Sequence, residues 1–256
     1  MNGQPTLAAR HRAVLERIAA AARQAGRDPA SVRLLAVSKT FDADAVAALA
    51  ARGQKAFGEN YLQEALDKRA KLEEAARQGA DSTALAASLQ WHFIGPIQSN
   101  KTRRIAEAFD WVHSVESLRI ARRLADQRPV SQPALNILLQ VNVSDEVSKS
   151  GCEPAAVNAL AGEIATLPRL RLRGLMAIPE PDPNPAVLAG RFAQLRALQQ
   201  AAVASVRATA GEEAALAVDT LSMGMSGDLE IAIAEGSTLV RVGSALFGER
   251  AARAAR

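Results

Sequence analysis

The 256-residue sequence has one cysteine, Cys152, and one tyrosine, Tyr61. A lone cysteine excludes an internal disulfide, so the expected compartment is reducing. No apolar run approaches the ~18–20 residues that cross a bilayer, and the N-terminus lacks the apolar stretch of a secretory signal. The expected location is therefore cytoplasmic, with no membrane partner. No strand-like run is followed by a G-x-G-x-x-G turn, which removes the usual dinucleotide fingerprint. The three histidines (His11, His92 and His113) and Cys152 are not spaced with carboxylates as a metal site requires. There is no basic block either. The net charge of +4 comes from arginines spread over helices, which reads as solvated helix faces and argues against nucleic acid. Neither an internal repeat nor a composition break divides the chain, so residues 1–256 read as a single domain.

Apolar content of 48% and charged content of 23% are those of an ordinary globular protein. Helical and strand patterns alternate along the whole chain. Thr6 to Ala25 spaces Leu7, Val14, Leu15 and Ile18 as one face of a helix, closed by Gly26. Val32–Val37 then reads as a strand buried on both faces. Further strands are expected at Ala56–Gly58, Trp91–Ile94, Trp111–His113, Leu135–Val143, Leu172–Ile178, Val218–Met223 and Thr238–Val242. Asp42, Ser117 and Pro154 stand at the starts of intervening helices. Eight strands with helices between them, in about the usual ~250 residues, predict a (β/α)8 barrel with an extra N-terminal helix. An open doubly wound sheet is the alternative.

In such a barrel the chemistry sits at the carboxyl ends of the strands. Lys39 occupies that position after the first strand, where partial desolvation favours the free amine and its attack on a carbonyl. A solvated strand-end lysine is the plain alternative. After the seventh strand, the run Ser222–Asp228 is rich in glycine and serine, and Gly243-Ser244 follow the eighth. Loops after strands seven and eight form the recurring phosphate site of these barrels, and exposed N–H groups at helix starts favour anions. Strand alternation puts Leu239, Arg241 and Gly243 on one face, which places Arg241 beside that site or in water at the rim. A lysine amine, a phosphate cradle and an arginine between them make up a site for pyridoxal 5′-phosphate (PLP).

Several stretches carry a family likeness. They are Leu35–Thr40, Phe57–Tyr61, Trp91–Gly95 with Gln98–Lys101, His113–Ser117, Val141-Asn142, Lys149–Gly151, Arg173–Met176, Leu221–Asp228, and Arg241–Gly243 with Phe247-Gly248. On these the chain resembles the YggS/PROSC family of PLP homeostasis proteins, whose fold is similar to the N-terminal barrel of alanine racemase. The resemblance implies Lys39 as the Schiff-base lysine and Asn60 near the ring. It also implies Ser222, Ser226, Gly243 and Ser244 around the phosphate, with Arg241 at the ring nitrogen. Ser244 stands where family members often carry threonine.

Carrier and enzyme are both open at this stage. A racemase of this fold needs a second base opposite Lys39, which its relatives take from an added C-terminal domain. The thirteen residues after Gly243 leave no room for such a domain. Tyr61 belongs to the family's own Asn60-Tyr61 pair, and an arginine at the ring nitrogen weakens the electron sink. The expectation is a non-enzymatic, monomeric carrier of PLP, with apo PLP-dependent enzymes as possible recipients. The alternatives are an amino-acid racemase using a second base such as His92, and an interaction protein gated by its cofactor. His92 and His113 are expected as satisfied core histidines, His11 as part of a surface helix, Lys149 as a loop lysine near the same rim, and Cys152 as inert.

Overall fold

The computed structural model describes residues 5–77, 87–144 and 150–248. Lys149 lies outside the described residues. Eight parallel strands close on themselves in sequence order: β1 (Arg33–Val37), β2 (Ala56–Glu59), β3 (Gln90–Phe93), β4 (Trp111–Val115), β5 (Leu135–Gln140), β6 (Leu170–Met176), β7 (Thr220–Ser222) and β8 (Leu239–Val242). β8 returns to β1, with Arg241 opposite Leu35 and Val242 opposite Ala36. Closure leaves no strand edge unpaired, which removes the hazard of edge-to-edge association.

The outer layer comprises α1 (Leu7–Gln24), α2 (Ala43–Ala50), α3 (Leu62–Arg77), α4 (Thr102–Ala108), α5 (Leu118–Gln127), α6 (Val157–Ala165), α7 (Pro185–Ala210), α8 (Glu212–Leu216), α9 (Leu229–Ala234) and α10 (Ser244–Phe247). Side-chain caps define their starts, because the first turn of a helix leaves N–H groups without partners. Thr6 accepts from Ala9 N, Asp42 from Ala45 N, Ser117 from Ile120 N and Asn184 from Ala186 N. Pro185 sits in the first turn of α7, where its missing N–H costs nothing.

The large apolar core lies between strands and helices, with Phe57, Phe109, Phe192, Leu49 and Leu124 fully buried in it. Inside the barrel is a separate small cluster of Trp111, Leu138 and Met176. The guanidiniums of Arg33 and Arg173 stand 5.6 and 4.9 Å from the Trp111 ring at the strands' amino end. Such cation–π contacts let the two cations cover the Trp111 ring at that end of the barrel.

The structure corrects three details of the sequence reading. β5 ends at Gln140, and Val141 makes an isolated bridge to Cys152. β7 keeps only three residues, because Val218 and Asp219 complete the turn out of α8. His11 lies on the buried face of α1 while Leu15 faces solvent, so the apolar stripe of that helix is His11, Val14, Ile18 and Ala21. Burial lowers the His11 pKa, against a hydrogen bond with Gln54 that raises it.

α1 does more than pack. Arg10 donates to the carbonyls of Leu246 and Phe247 on α10, and Arg17 donates to the Ser226 carbonyl while pairing with Glu230. The extra N-terminal helix thereby anchors the loops that follow β7 and β8.

Candidate functional site

A cavity of about 360 Å³ opens at the carboxyl ends of the strands, a volume typical of small-molecule sites. Lys39, Asn60, Ser226, Arg241, Gly243 and Ser244 line it together. They come from the ends of β1, β2, β7 and β8, more than 200 residues apart in the chain. Val37, Phe41, Ile94, Ile178 and Met225 supply apolar walls. A second cavity, about 430 Å³ between Arg69, Arg77, Trp91 and Asp110, lies by α3 and the start of β3. It holds none of these residues and belongs to the opposite end of the barrel.

Lys39 is half-buried on a tight turn whose backbone is held from both sides. Thr40 adopts a left-handed φ of 70°, an unfavourable conformation for a β-branched residue that needs support. Phe41 N closes the turn onto the Ser38 carbonyl. That carbonyl also accepts from Lys68 Nζ (2.7 Å), and the Thr40 N–H donates to Glu64 Oε1. Lys68 Nζ makes two further 2.7 Å bonds, to Glu59 Oε1 and Glu64 Oε1, while Ser38 Oγ donates to Glu59. Burial is the main influence on Glu59 and raises its pKa against the pull of Lys68. This clamp of Glu59, Glu64 and Lys68 was not legible as a site in the sequence. Its one local trace is the i,i+4 spacing of Glu64 and Lys68.

Lys68 is only 4% exposed, and removing one partner of a buried ion pair leaves a charge uncompensated. Lys68→Met is therefore expected to lower stability by roughly 3–5 kcal/mol, and Lys68→Met/Glu59→Leu to recover most of the loss. Urea unfolding checks both. A single-variant loss below about 1 kcal/mol, the scale of a surface pair, would deny the clamp its role.

Asn60 presents a buried Oδ1 with no hydrogen-bond partner among the described residues. An unpartnered buried acceptor in a cavity signals a missing donor. Close behind it, a Cβ at Gly95 would collide with the Asn60 carbonyl, so glycine is required there to let the two strand-end loops meet. Across the cavity, the Ser226 and Ser244 hydroxyls lie 3.2 Å apart and Ala245 N reaches Ser226 Oγ. Asp228 Oδ1 accepts from Met225 N, and Arg241 N donates to the Gly224 carbonyl, which fixes the β7 loop against β8.

Arg241 is 4% exposed and lines the cavity floor. Its Nη1 donates to the Ser222 carbonyl (2.6 Å) and to Ser222 Oγ (2.9 Å), and its Nη2 to the Ala177 carbonyl (2.9 Å). Burial pulls its pKa down to about 10 and Asp228 opposes the shift, so it stays cationic at neutral pH. The sequence reading left Arg241 either in water or facing a ligand, and the buried cavity floor excludes water at the rim. Ser222 departs from expectation. It is fully buried beneath Arg241, also touches His113, and does not line the cavity.

His92 and His113 lie below this floor and outside the cavity lining. Burial lowers both, His92 to about 3 with help from Arg33, and His113 well below the usual range with help from His92 and Arg241. Tyr61 is 54% exposed. Cys152 is buried, which raises its thiol to about 11 and makes it a poor nucleophile. Among the described residues no group of three metal-ligating side chains occurs, and no helix is long and apolar enough to cross a membrane.

The family model described as alanine racemase, N-terminal domain, matches residues 11–251. The pyridoxal phosphate homeostasis protein of Pseudomonas aeruginosa is 56% identical over 237 residues, covering 93% of each chain. Its Escherichia coli K12 namesake is 50% identical, covering 93% of this chain and 94% of that one. Among solved structures, PipY of Synechococcus elongatus with PLP bound superposes with a TM-score of 0.72 at 35% identity, covering 92% of this chain and all of that one. Alanine racemase of Corynebacterium glutamicum, 17% identical with a TM-score of 0.61 over 94% of this chain and 62% of its own, shares the fold.

Proposed function

This chain belongs to the pyridoxal phosphate homeostasis proteins, built on the alanine racemase N-terminal domain, and from that premise we propose that it holds PLP reversibly at Lys39 without turning over amino acids. The carrying observation is the convergence, in one cavity of fitting size, of an amine, a buried guanidinium, an orphan acceptor and paired hydroxyls.

The residues suit that ligand in kind and placement. Lys39, on the turn that the Glu59–Lys68–Glu64 clamp holds, would supply the amine for the cofactor's aldehyde. Arg241 presents donors alone, so facing the ring nitrogen it would hold that atom as an unprotonated acceptor. Asn60, whose Oδ1 has no partner among the described residues, would face the edge of the ring. Ser226 and Ser244, with the backbone at Gly243, would take the phosphate, while Ser222 acts from behind by holding Arg241. When bound, PLP supplies an electron sink for amino-acid chemistry, strongest when its ring nitrogen is protonated.

The site's acid–base groups favour storage over turnover. His92, the second base of the racemase reading, is 1% exposed and stacked on Trp111 beneath the floor, and Tyr61 is turned largely to solvent. A general base must come within about 3 Å of its proton or one water away. The proposal extends to a cytoplasmic monomer of one domain. Its closed barrel leaves no sheet edge to pair, and apo PLP-dependent enzymes are its recipients.

The test combines two readouts on PLP-loaded protein. Incubation with each common L-amino acid in heavy water is expected to leave the Cα proton unexchanged by NMR, and mixing with an apo PLP enzyme is expected to restore that enzyme's activity. Exchange at enzyme-like rates, lost in Lys39→Ala, would establish a racemase-type catalyst instead.

A further inference from the structure

Beneath the cavity floor a hydrogen-bonded chain runs from Arg241 into the barrel interior. Arg241 Nη1 lies 2.9 Å from Ser222 Oγ, Ser222 Oγ 3.0 Å from His113 Nδ1, and His113 Nε2 2.9 Å from His92 Nδ1. All four side chains are buried. His92 Nε2 ends the chain without a partner among the described residues.

We propose that His113 and His92 are positioning residues for Arg241, both held as neutral Nε2–H tautomers in a one-way chain whose direction the arginine sets. The inference rests on the reading that the cavity takes PLP at Arg241.

The direction follows from counting donors. A guanidinium only donates, so Ser222 Oγ accepts from Arg241 and has one hydrogen left to place. Directed at His113 Nδ1, that hydrogen makes Nδ1 an acceptor and puts the His113 proton on Nε2. That proton then goes to His92 Nδ1, which leaves the His92 proton on Nε2. One buried N–H, at His92, stays unpartnered. Reversing the chain makes His113 Nδ1–H donate to Ser222 Oγ and strands two groups, the Ser222 hydroxyl hydrogen and the His92 Nε2 lone pair. Each stranded buried group is costly, so the forward direction is the better satisfied one.

Neutrality follows from the surroundings. Arg241 on β8 faces one end of the pair and Arg33 on β1 the other, and both disfavour an imidazolium. Arg173 on β6 lies over Trp111 and is paired with Asp219. The chain's charged ends are therefore mainly cationic, and burial acts in the same direction.

The consequence reaches the site. With Ser222 Oγ committed as an acceptor, both Nη1 hydrogens and one Nη2 hydrogen of Arg241 are tied down. The guanidinium plane is thereby fixed, with its remaining donors available to the cavity. An undirected Ser222 hydroxyl would leave Arg241 held by the Ser222 and Ala177 carbonyls and loosen one Nη1 hydrogen, which blurs its aim at the ring nitrogen.

Three histidines make the test tractable. In full-length protein labelled with 15N-histidine, long-range 1H–15N spectra are expected to show His92 and His113 as neutral Nε2–H tautomers from about pH 5 to 8. PLP addition should shift the His113 nitrogens. His113→Phe should weaken PLP binding by about tenfold, the loss of one hydrogen bond, and change the bound absorption. His113→Gln, which can accept from Ser222 and donate to His92, should restore both. An Nδ1–H tautomer or an imidazolium at either residue would overturn the proposal, as would unchanged affinity and absorption in folded His113→Phe. If His113→Phe does not fold, the wild-type tautomers still decide. Failure of wild-type protein to bind PLP would instead overturn the proposed function, leaving the tautomers readable on their own.

Discussion

Replacement of Lys39 by alanine is expected to abolish covalent retention of PLP while the barrel stays folded. Lys39 sits half-buried at a strand end, outside the apolar clusters, so shortening it opens the cavity mouth and leaves the core intact. The Glu59–Lys68–Glu64 clamp grips the backbone at Ser38 and Thr40 on either side of Lys39. Stability should change by no more than about 1 kcal/mol, which for a chain of this size moves the melting midpoint by roughly 2–4 °C. Loss of binding should be far larger, because the remaining contacts are noncovalent. The check is the visible spectrum after gel filtration of wild type and variant loaded with PLP. Retention of the bound spectrum by Lys39→Ala would place the attachment on another amine.

Arg241→Glu is expected to unfold or severely destabilise the protein, by roughly 3–5 kcal/mol. Read from the sequence, Arg241 stood beside the ligand or in water at the rim. The structure gives it a larger part, because Arg241 is the donor to the Ser222 carbonyl on β7 and to the Ala177 carbonyl just past β6. A glutamate there removes three hydrogen bonds, faces two carbonyl oxygens with an acceptor, and buries a carboxyl in place of a guanidinium. Burial can protonate that carboxyl, which relieves the charge but still leaves at least one carbonyl bare. Urea unfolding measures the loss, and a change below about 1 kcal/mol would remove Arg241 from the barrel floor. Arg241→Gln, which keeps an amide donor, should fall between the two.

The contrast between Lys39 and Arg241 shows which features were legible in the sequence. Apolar runs bounded by turn residues located all eight strands, because strands buried on both faces leave an unbroken hydrophobic signature. The strand-end rule pointed to Lys39, Ser226, Gly243, Ser244 and Arg241, and the family resemblance added Asn60; all six line one cavity. Side-chain depth inside the barrel was not legible. It depends on the stagger between neighbouring strands, which no single strand encodes. Ser222 pairs with Leu239, two residues before Arg241, and that offset drops its hydroxyl under the guanidinium and out of the cavity. The same stagger sets Trp111 beside His92 and lets His113 reach Ser222. The Lys68 clamp escaped for a different reason. Its partners lie on β2, on α3 and in the Lys39 turn, and nothing in a charged helix distinguishes a buried lysine from a solvated one until the helix is docked.

The most direct measurement is borohydride reduction of PLP-loaded protein followed by peptide mapping. The chain offers six lysines: Lys39, Lys55, Lys68, Lys71, Lys101 and Lys149. Lys39 alone among the described lysines lines the cavity with Arg241 and Ser226, and the account predicts that the reduced adduct maps to the peptide containing Lys39. An adduct mapping mainly to Lys149 or any other lysine would contradict it.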